Sequence, residues 1–278
     1  HHARDIDVAT AVPPLLLLLE RLDDAALLAL LVMADLTVAF CLRRLAPSSL
    51  APSLCYILAP WTCATAAALC TVSLPLSAVL GAICLADGGR EIASALSLGV
   101  ATFVSPDAVW LLPATCALLP GRRPPRGRLC VTYLGVLLVL LAASRLAAGS
   151  WHFCVALKVW ASPTALRPNF GIMWYLLAQV FPMYRCSFQF ALGVLPKLCL
   201  APLVHRLSAA SARPAAAISL LLVTAYAPHP TANELTAALA LVASTCDARL
   251  VSKARRPPML LGAIAVSAAI AMHPLLER

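Results

Sequence analysis

The 278-residue chain is 62% hydrophobic and 12% charged, with a mean hydropathy of +0.88. Soluble domains carry about 25% charged residues, so a water-exposed globular enzyme is excluded. The net charge of +9 has its largest basic cluster between two apolar runs and not on a soluble face, which removes nucleic-acid binding as its explanation.

Taken in chain order, apolar runs bounded by charge and proline predict spans at 25–42, 50–60, 63–86, 91–104, 107–120, 129–147, 171–181, 186–205, 214–228, 232–251 and 257–274. They read as helices because stretches such as Leu134–Leu141 show none of the alternation of a barrel strand. A crossing needs about twenty residues for an about 30 Å hydrocarbon core, so 50–60, 91–104, 107–120 and 171–181 are expected to be re-entrant, half-length or tilted, and the whole chain is expected to make about eight or nine true crossings. Prolines mark the boundaries at Pro60, Pro106, Pro113, Pro182, Pro228 and Pro230, where the missing amide hydrogen and the ring end or kink a helix. The fold class expected is all-α, a polytopic membrane helix bundle with broken or re-entrant helices. Interrupted backbone at membrane depth survives only against protein or beside a wet cavity, so the interruptions point either to a lipid-access cavity or to kinks made for packing. The abundance of alanine suits close helix approach in lipid, where no hydrophobic force acts between helices, and equally suits a biased genome composition.

Charge supplies topology. Arg122, Arg123, Arg126 and Arg128 fill one short Pro/Gly loop, and Arg43–Arg44 and Lys253–Arg255–Arg256 stand at other span ends; such loops stay cytosolic. Each basic group at that surface gains about 1 kcal/mol from anionic headgroups, which makes Arg122, Arg123, Arg126, Arg128, Lys197 and Arg206 candidates for phospholipid contact. Among the acidic residues Asp35 stands out, because it interrupts the apolar run Leu-Val-Met-Ala-Asp-Leu-Thr. A carboxylate at a span centre costs about 2.5–3.5 kcal/mol unless paired or hydrated, so Asp35 is expected to be a structural polar position with a partner.

Catalytic sets are missing. His152, His205, His229 and His273 are scattered, with no Gly-x-Ser-x-Gly, His-Glu-x-x-His, P-loop or Gly-x-Gly-x-x-Gly pattern. The eleven cysteines lie in or beside apolar runs without Cys-x-x-Cys or Cys/His spacing, and read as small hydrophobes. No metal and no cofactor is expected, and any peptide-bond chemistry would belong to another chain. Asp5-Ile6-Asp7 is a carboxylate pair of the kind that can activate a hydroxyl or hold a divalent ion.

Residues 149–189 are the most diagnostic stretch. Ser150, Trp151 and Phe153 open it, and Pro168, Asn169, Phe170, Gly171, Trp174 and Tyr175 follow. This run resembles the PIG-U family, the multi-spanning membrane subunit of the glycosylphosphatidylinositol (GPI) transamidase. Further elements resemble the same family in the same order: Asp35-Leu36-Thr37 before Arg43, Tyr56–Thr62 with Ala59 where the family usually has Asn, Ala101–Pro106, and Tyr226–Glu234.

The resemblance implies a non-catalytic subunit of the endoplasmic-reticulum membrane, multi-pass and resembling the C-superfamily glycosyltransferase membrane fold. It would scaffold the complex and help bind and present the GPI lipid for attachment to protein C-termini. Its partners would be the other transamidase subunits, including a cysteine-protease-like catalytic one, with GPI and membrane phospholipids and no nucleic acid. On this reading Asn169, Trp174, Tyr175, Tyr184 and Arg185 are the candidates for lipid contact, since an Asn at a broken-helix mouth and aromatic rings suit a polar–apolar boundary. Residues 1–278 are expected to form a single polytopic domain and to be a fragment, without the family's amino-terminal helix and its last helices. The alternative reading is a GPI mannosyltransferase of related fold, which requires Asp5 or Asp7; a lipid flippase is a third.

Overall fold

The computed structural model describes Leu19, residues 22–119 except Ser48, 126–148, 172–227 except Ala210, and 230–245. All regular structure among the described residues is helical. The helices are α1 (Asp24–Leu45), α2 (Ala51–Ile57), α3 (Pro60–Ala67), α4 (Ser73–Asp87), α5 (Glu91–Val104), α6 (Leu112–Leu118), α7 (Arg126–Ala148), α8 (Ile172–Gln179), α9 (Arg185–Gly193), α10 (Leu195–Leu198), α11 (Leu200–Ser208), α12 (Ala212–Ala225) and α13 (Ala232–Thr245), with 3₁₀ turns at Pro106–Leu111 and Pro182–Tyr184.

Local chemistry sets the ends. Asp23 caps α1 by accepting from the amide of Ala26 at 3.1 Å, Asp24 lies in the first turn, and Arg43 and Arg44 lie in the last. These signs complement the helix dipole. Proline falls in first turns throughout: Pro52, Pro60, Pro75, Pro113, Pro196, Pro202 and Pro214 each lie within three residues of a helix start. There the missing N–H deprives the helix of nothing.

Two expected spans are broken. The run 63–86 divides into α3 and α4, because the chain reverses into the left-handed region at Leu69 (φ 51°). The amide of Cys70 donates to the Thr65 carbonyl at 2.9 Å and that of Leu69 to Ala66 at 3.0 Å, which is a Schellman termination. The same motif ends α4, with Gly89 at φ 72° and the Arg90 amide on the Leu85 carbonyl. Glycine adopts this backbone freely, whereas leucine there costs about 1–2 kcal/mol. The run 186–205 divides into α9, α10 and α11, where Pro196 and Pro202 each start a new turn. By length and composition, two described helices suffice to cross a membrane, Asp24–Leu45 and Gly127–Ala147. The expected run 257–274 lies outside the described residues.

Packing centres on α4, which lies against α1, α5 and α6, with α5 also against α7 and α12 against α11 and α13. The buried cluster includes Val38, Leu42, Leu80, Ile83, Leu98, Leu111, Leu129, Leu220 and Leu241. Small residues bring α4 and α5 close enough for side chain to meet backbone: Ser94 Oγ donates to the Ala82 carbonyl at 2.8 Å and Ser97 Oγ to Ala78 at 2.7 Å. Gly99 does the same for α5 and α7, since a Cβ there would lie 2.7 Å from Val136 Cγ1. Close approach through small side chains supplies dispersion contact where lipid removes the hydrophobic drive.

Candidate functional site: a buried polar hub

The hub begins with Asp35, midway along α1 and about 15 Å from either end at 1.5 Å per residue. Helix α2 folds back along α1 and carries Tyr56, fully buried, whose hydroxyl donates to Asp35 Oδ1 at 2.7 Å. The α2–α3 joint continues the chain of contacts. Thr62 Oγ1 lies 2.8 Å from the Tyr56 carbonyl and 2.7 Å from Asn233 Oδ1 in the first turn of α13. A hydroxyl has one proton, so Thr62 shares it between two acceptors. Ser73 at the start of α4 and Asn233 are the Tyr56 hydroxyl's other polar neighbours. Ser73 Oγ and Asn233 Nδ2 are buried without completing a hydrogen bond.

The start of α13 is fixed from within. Thr231 and Glu234 form a capping box, the Thr231 amide donating to Glu234 Oε2 at 3.0 Å and the Glu234 amide donating to Thr231 Oγ1 at 3.2 Å. Trp61, half in contact with the surroundings, donates its indole N–H to Thr236 Oγ1 at 2.7 Å. The first two turns of α13 are thus tied to α3 by two side chains, Thr62 and Trp61.

A second polar centre lies beside it. Asp107, in the 3₁₀ turn after α5, pairs with Lys197 of α10, and both are buried. Asp107 also lies within electrostatic reach of Glu234. Two opposite charges in low dielectric attract strongly, but each has forfeited hydration, so the pair holds only while both members are present.

The far end of the bundle is built differently. The carboxylate of Asp87 receives Nε and Nη2 of Arg213 at 2.8 and 3.0 Å, a two-pronged contact open to the surroundings. The hydrogen bonds that Arg213 donates to Asp87 push its guanidinium further up from its usual value, against a smaller downward pull from burial. Glu91 Oε1 accepts from the Leu129 amide at 2.9 Å, so a carboxylate of α5 caps the first turn of α7. Arg44, Arg90 and Arg128 are exposed at this end.

The candidates raised from sequence divide unevenly. Asp35 has Tyr56 as its partner. Lys197, expected at a headgroup surface, is 4% exposed and engages Asp107 in the interior. Its segment is a one-turn helix folded into the bundle. Arg206 and Arg128 are exposed, Arg206 in the last turn of α11. Arg126 begins α7 and Trp174 lies in α8, but both side chains, with Arg122, Arg123 and Asn169, lie outside the described residues. Tyr175 and Tyr184 are exposed, and Arg185, partly covered, donates from Nε to the Val180 carbonyl at 3.2 Å. Asp5 and Asp7 also lie outside the described residues. Among the described residues, no group of three or more His, Cys, Asp or Glu is arranged to hold a metal ion.

Sequence reasoning did not single out Tyr56, Thr62, Asn233, Asp107 and Glu234 as one constellation. The signal was present in two places, the Thr-x-x-Glu spacing at 231–234 and the hydroxyl-bearing residues Tyr56 and Thr62 flanking Pro60. Three of the elements that resemble PIG-U thereby meet: Tyr56–Thr62, the stretch ending at Pro106 just before Asp107, and the loop ending at Glu234.

The family model for GPI transamidase subunit PIG-U matches residues 8–277. The chain belongs to the PIG-U family. No curated protein matches it. Membership makes it a subunit of the GPI transamidase complex and ties it to the endoplasmic-reticulum membrane and to GPI-anchor attachment. The mannosyltransferase alternative finds no support in this match.

Proposed function

We propose that this chain is the non-catalytic, multi-pass subunit that scaffolds the GPI transamidase and presents the GPI lipid to a cysteine-protease-like subunit, which transfers the protein carboxyl group onto the anchor. The observation that carries the reading is the match to the transamidase subunit family across residues 8–277. Two features support it. Asp35, Thr62 and Asp107 are engaged by Tyr56, Asn233 and Lys197, as befits a frame more than a reaction centre. Large apolar side chains face outward on the two long helices, Met33, Leu36 and Phe40 on α1 and Val131, Leu134 and Leu138 on α7, at the spacing of one helix face.

The bundle is read as a polytopic domain of the C-superfamily glycosyltransferase kind, its short helices being half-length or tilted pieces within one membrane domain over residues 1–278. Lipid contact is assigned to the segment carrying Asn169, Trp174, Tyr175, Tyr184 and Arg185. Anionic headgroups are assigned to Arg122, Arg123, Arg126, Arg128 and Arg206. Lys197 leaves that set, because its ammonium is committed to Asp107.

Purification of the tagged chain from membranes in mild detergent, followed by identification of its companions, tests the reading. A cysteine-protease-like chain and further transamidase subunits are expected to co-purify. Turnover of sugar donors or cleavage of peptides by the isolated chain would overturn it.

A further inference from the structure

Residues 172–193 form an arm. Helices α8 and α9 pack on one another, α9 packs on the turn Pro182–Tyr184, and α9 also packs on α10. Leu177 is buried, but Phe181, Met183, Tyr184 and Phe188 are exposed, and Arg185 spends its Nε on the arm's own Val180 carbonyl. The next element in the chain reaches the body: α10 packs on α11 and α12, and its Lys197 is buried against Asp107 of the turn that follows α5.

A four-residue helix gives little contact area, so its orientation depends on what its one buried charge requires. An ammonium taken out of water has a steep energy well around its counter-ion, because leaving it means losing the attraction without regaining hydration. Asp107 is itself held on a 3₁₀ turn that packs against α5, α6 and α12. The counter-ion is therefore part of the rigid body, and the ammonium is part of the arm's root.

We propose that the buried Lys197–Asp107 pair is the positioning element that sets the arm 172–193 against the bundle, and thereby sets where Tyr184 and Arg185 meet the GPI lipid. This rests on the lipid-presentation reading above. Both residues act through the arm and touch no reacting atom.

The test uses the assembled complex reconstituted in membranes, with spin labels introduced through non-natural amino acids at Met183 on the arm and Val131 on α7. Lys197→Met and Asp107→Asn are each expected to broaden the label-to-label distance distribution and to raise the apparent KM for GPI at least about threefold with kcat little changed, the signature of lost ground-state binding. Lys197→Arg, which keeps the charge, and the swap Asp107→Lys with Lys197→Asp are expected to restore both readouts. Where the single variants do not assemble, the neutral double variant Asp107→Asn/Lys197→Met removes both charges together and takes the same two measurements. An unchanged distance distribution in that variant overturns the proposal. Tyr184→Ala and Arg185→Ala separate the two layers. If they raise KM while the pair variants do not, positioning fails and lipid contact stands; if they leave KM unchanged, lipid contact by the arm fails and the distance measurement alone decides the positioning role.

Discussion

Asp107 with Lys197 and Asp87 with Arg213 are the same chemistry in two settings. Each joins a carboxylate to a cation from a helix far along the chain, yet Lys197 is 4% exposed and the Arg213 side chain 46%. Geometry alone would favour the exposed pair, which is bidentate and well aligned. Dielectric reverses the ranking for what breaks when a partner is lost. In the interior the surviving charge has no bulk water to rehydrate it, whereas at the rim it is rehydrated at once.

The largest effect should follow from halving the buried pair. Lys197→Met or Asp107→Asn alone is expected to cost about 3–5 kcal/mol of stability, because each leaves or unbalances a buried charge. The combined variant is expected to be less destabilised than Lys197→Met, since replacing both charges together removes the desolvation penalty with the attraction. Chemical denaturation in detergent, followed as a double-mutant cycle, gives the coupling directly. Strictly additive losses would show that the two groups do not act on each other and would erase the contrast with the rim.

An intermediate effect is expected at the neutral part of the hub. Tyr56→Phe removes only an oxygen, but it withdraws the described hydrogen bond to Asp35, which is 8% exposed. The expected loss is about 1–3 kcal/mol, that of a buried polar group left unsatisfied. The same denaturation series measures it. A loss below that range would mean that other groups satisfy Asp35, and that the hub depends less on Tyr56 than its position implies.

How much of this was legible in the sequence depends on whether the deciding interaction is local. Helix α5 falls on residues 91–104 as the apolar run predicted, because Glu91 and Pro106 punctuate it on both sides. The break at Leu69 was illegible, since nothing in Ala-Leu-Cys announces a left-handed residue as Gly89 does after α4. Asp35 was legible as a residue in need of a partner, but Tyr56 as that partner was not, because it lies 21 positions away across a turn. Lys197 was misplaced for the same reason. Its sequence reading is a cation for anionic headgroups, and only the fold reveals Asp107, 90 positions earlier, in the interior beside it.

A smaller effect is expected where a rim carboxylate serves a backbone amide instead of a charge. Glu91→Ala frees the Leu129 amide in the first turn of α7, and the loss of such a cap is worth about 1 kcal/mol. Hydrogen exchange at Leu129 should quicken while the interior of α7 stays protected. If the whole helix loosens, Glu91 holds α5 to α7 and is more than a cap.

The smallest effect completes the contrast. Arg213→Ala removes both prongs of the Asp87 contact, and an exposed ion pair contributes about 0.2–1 kcal/mol. Exposure of the Arg213 side chain argues for the lower half of that range, and the difference should shrink further as salt rises, because the Debye length falls to about 3 Å at 1 M. The variant and the parent chain should therefore converge in high salt. The Lys197 and Asp107 variants should not, since ions do not enter the interior to screen them. A salt-insensitive loss at Arg213 would mean that the rim is shielded in the assembled state, and that Asp87 and Arg213 belong with the buried pair.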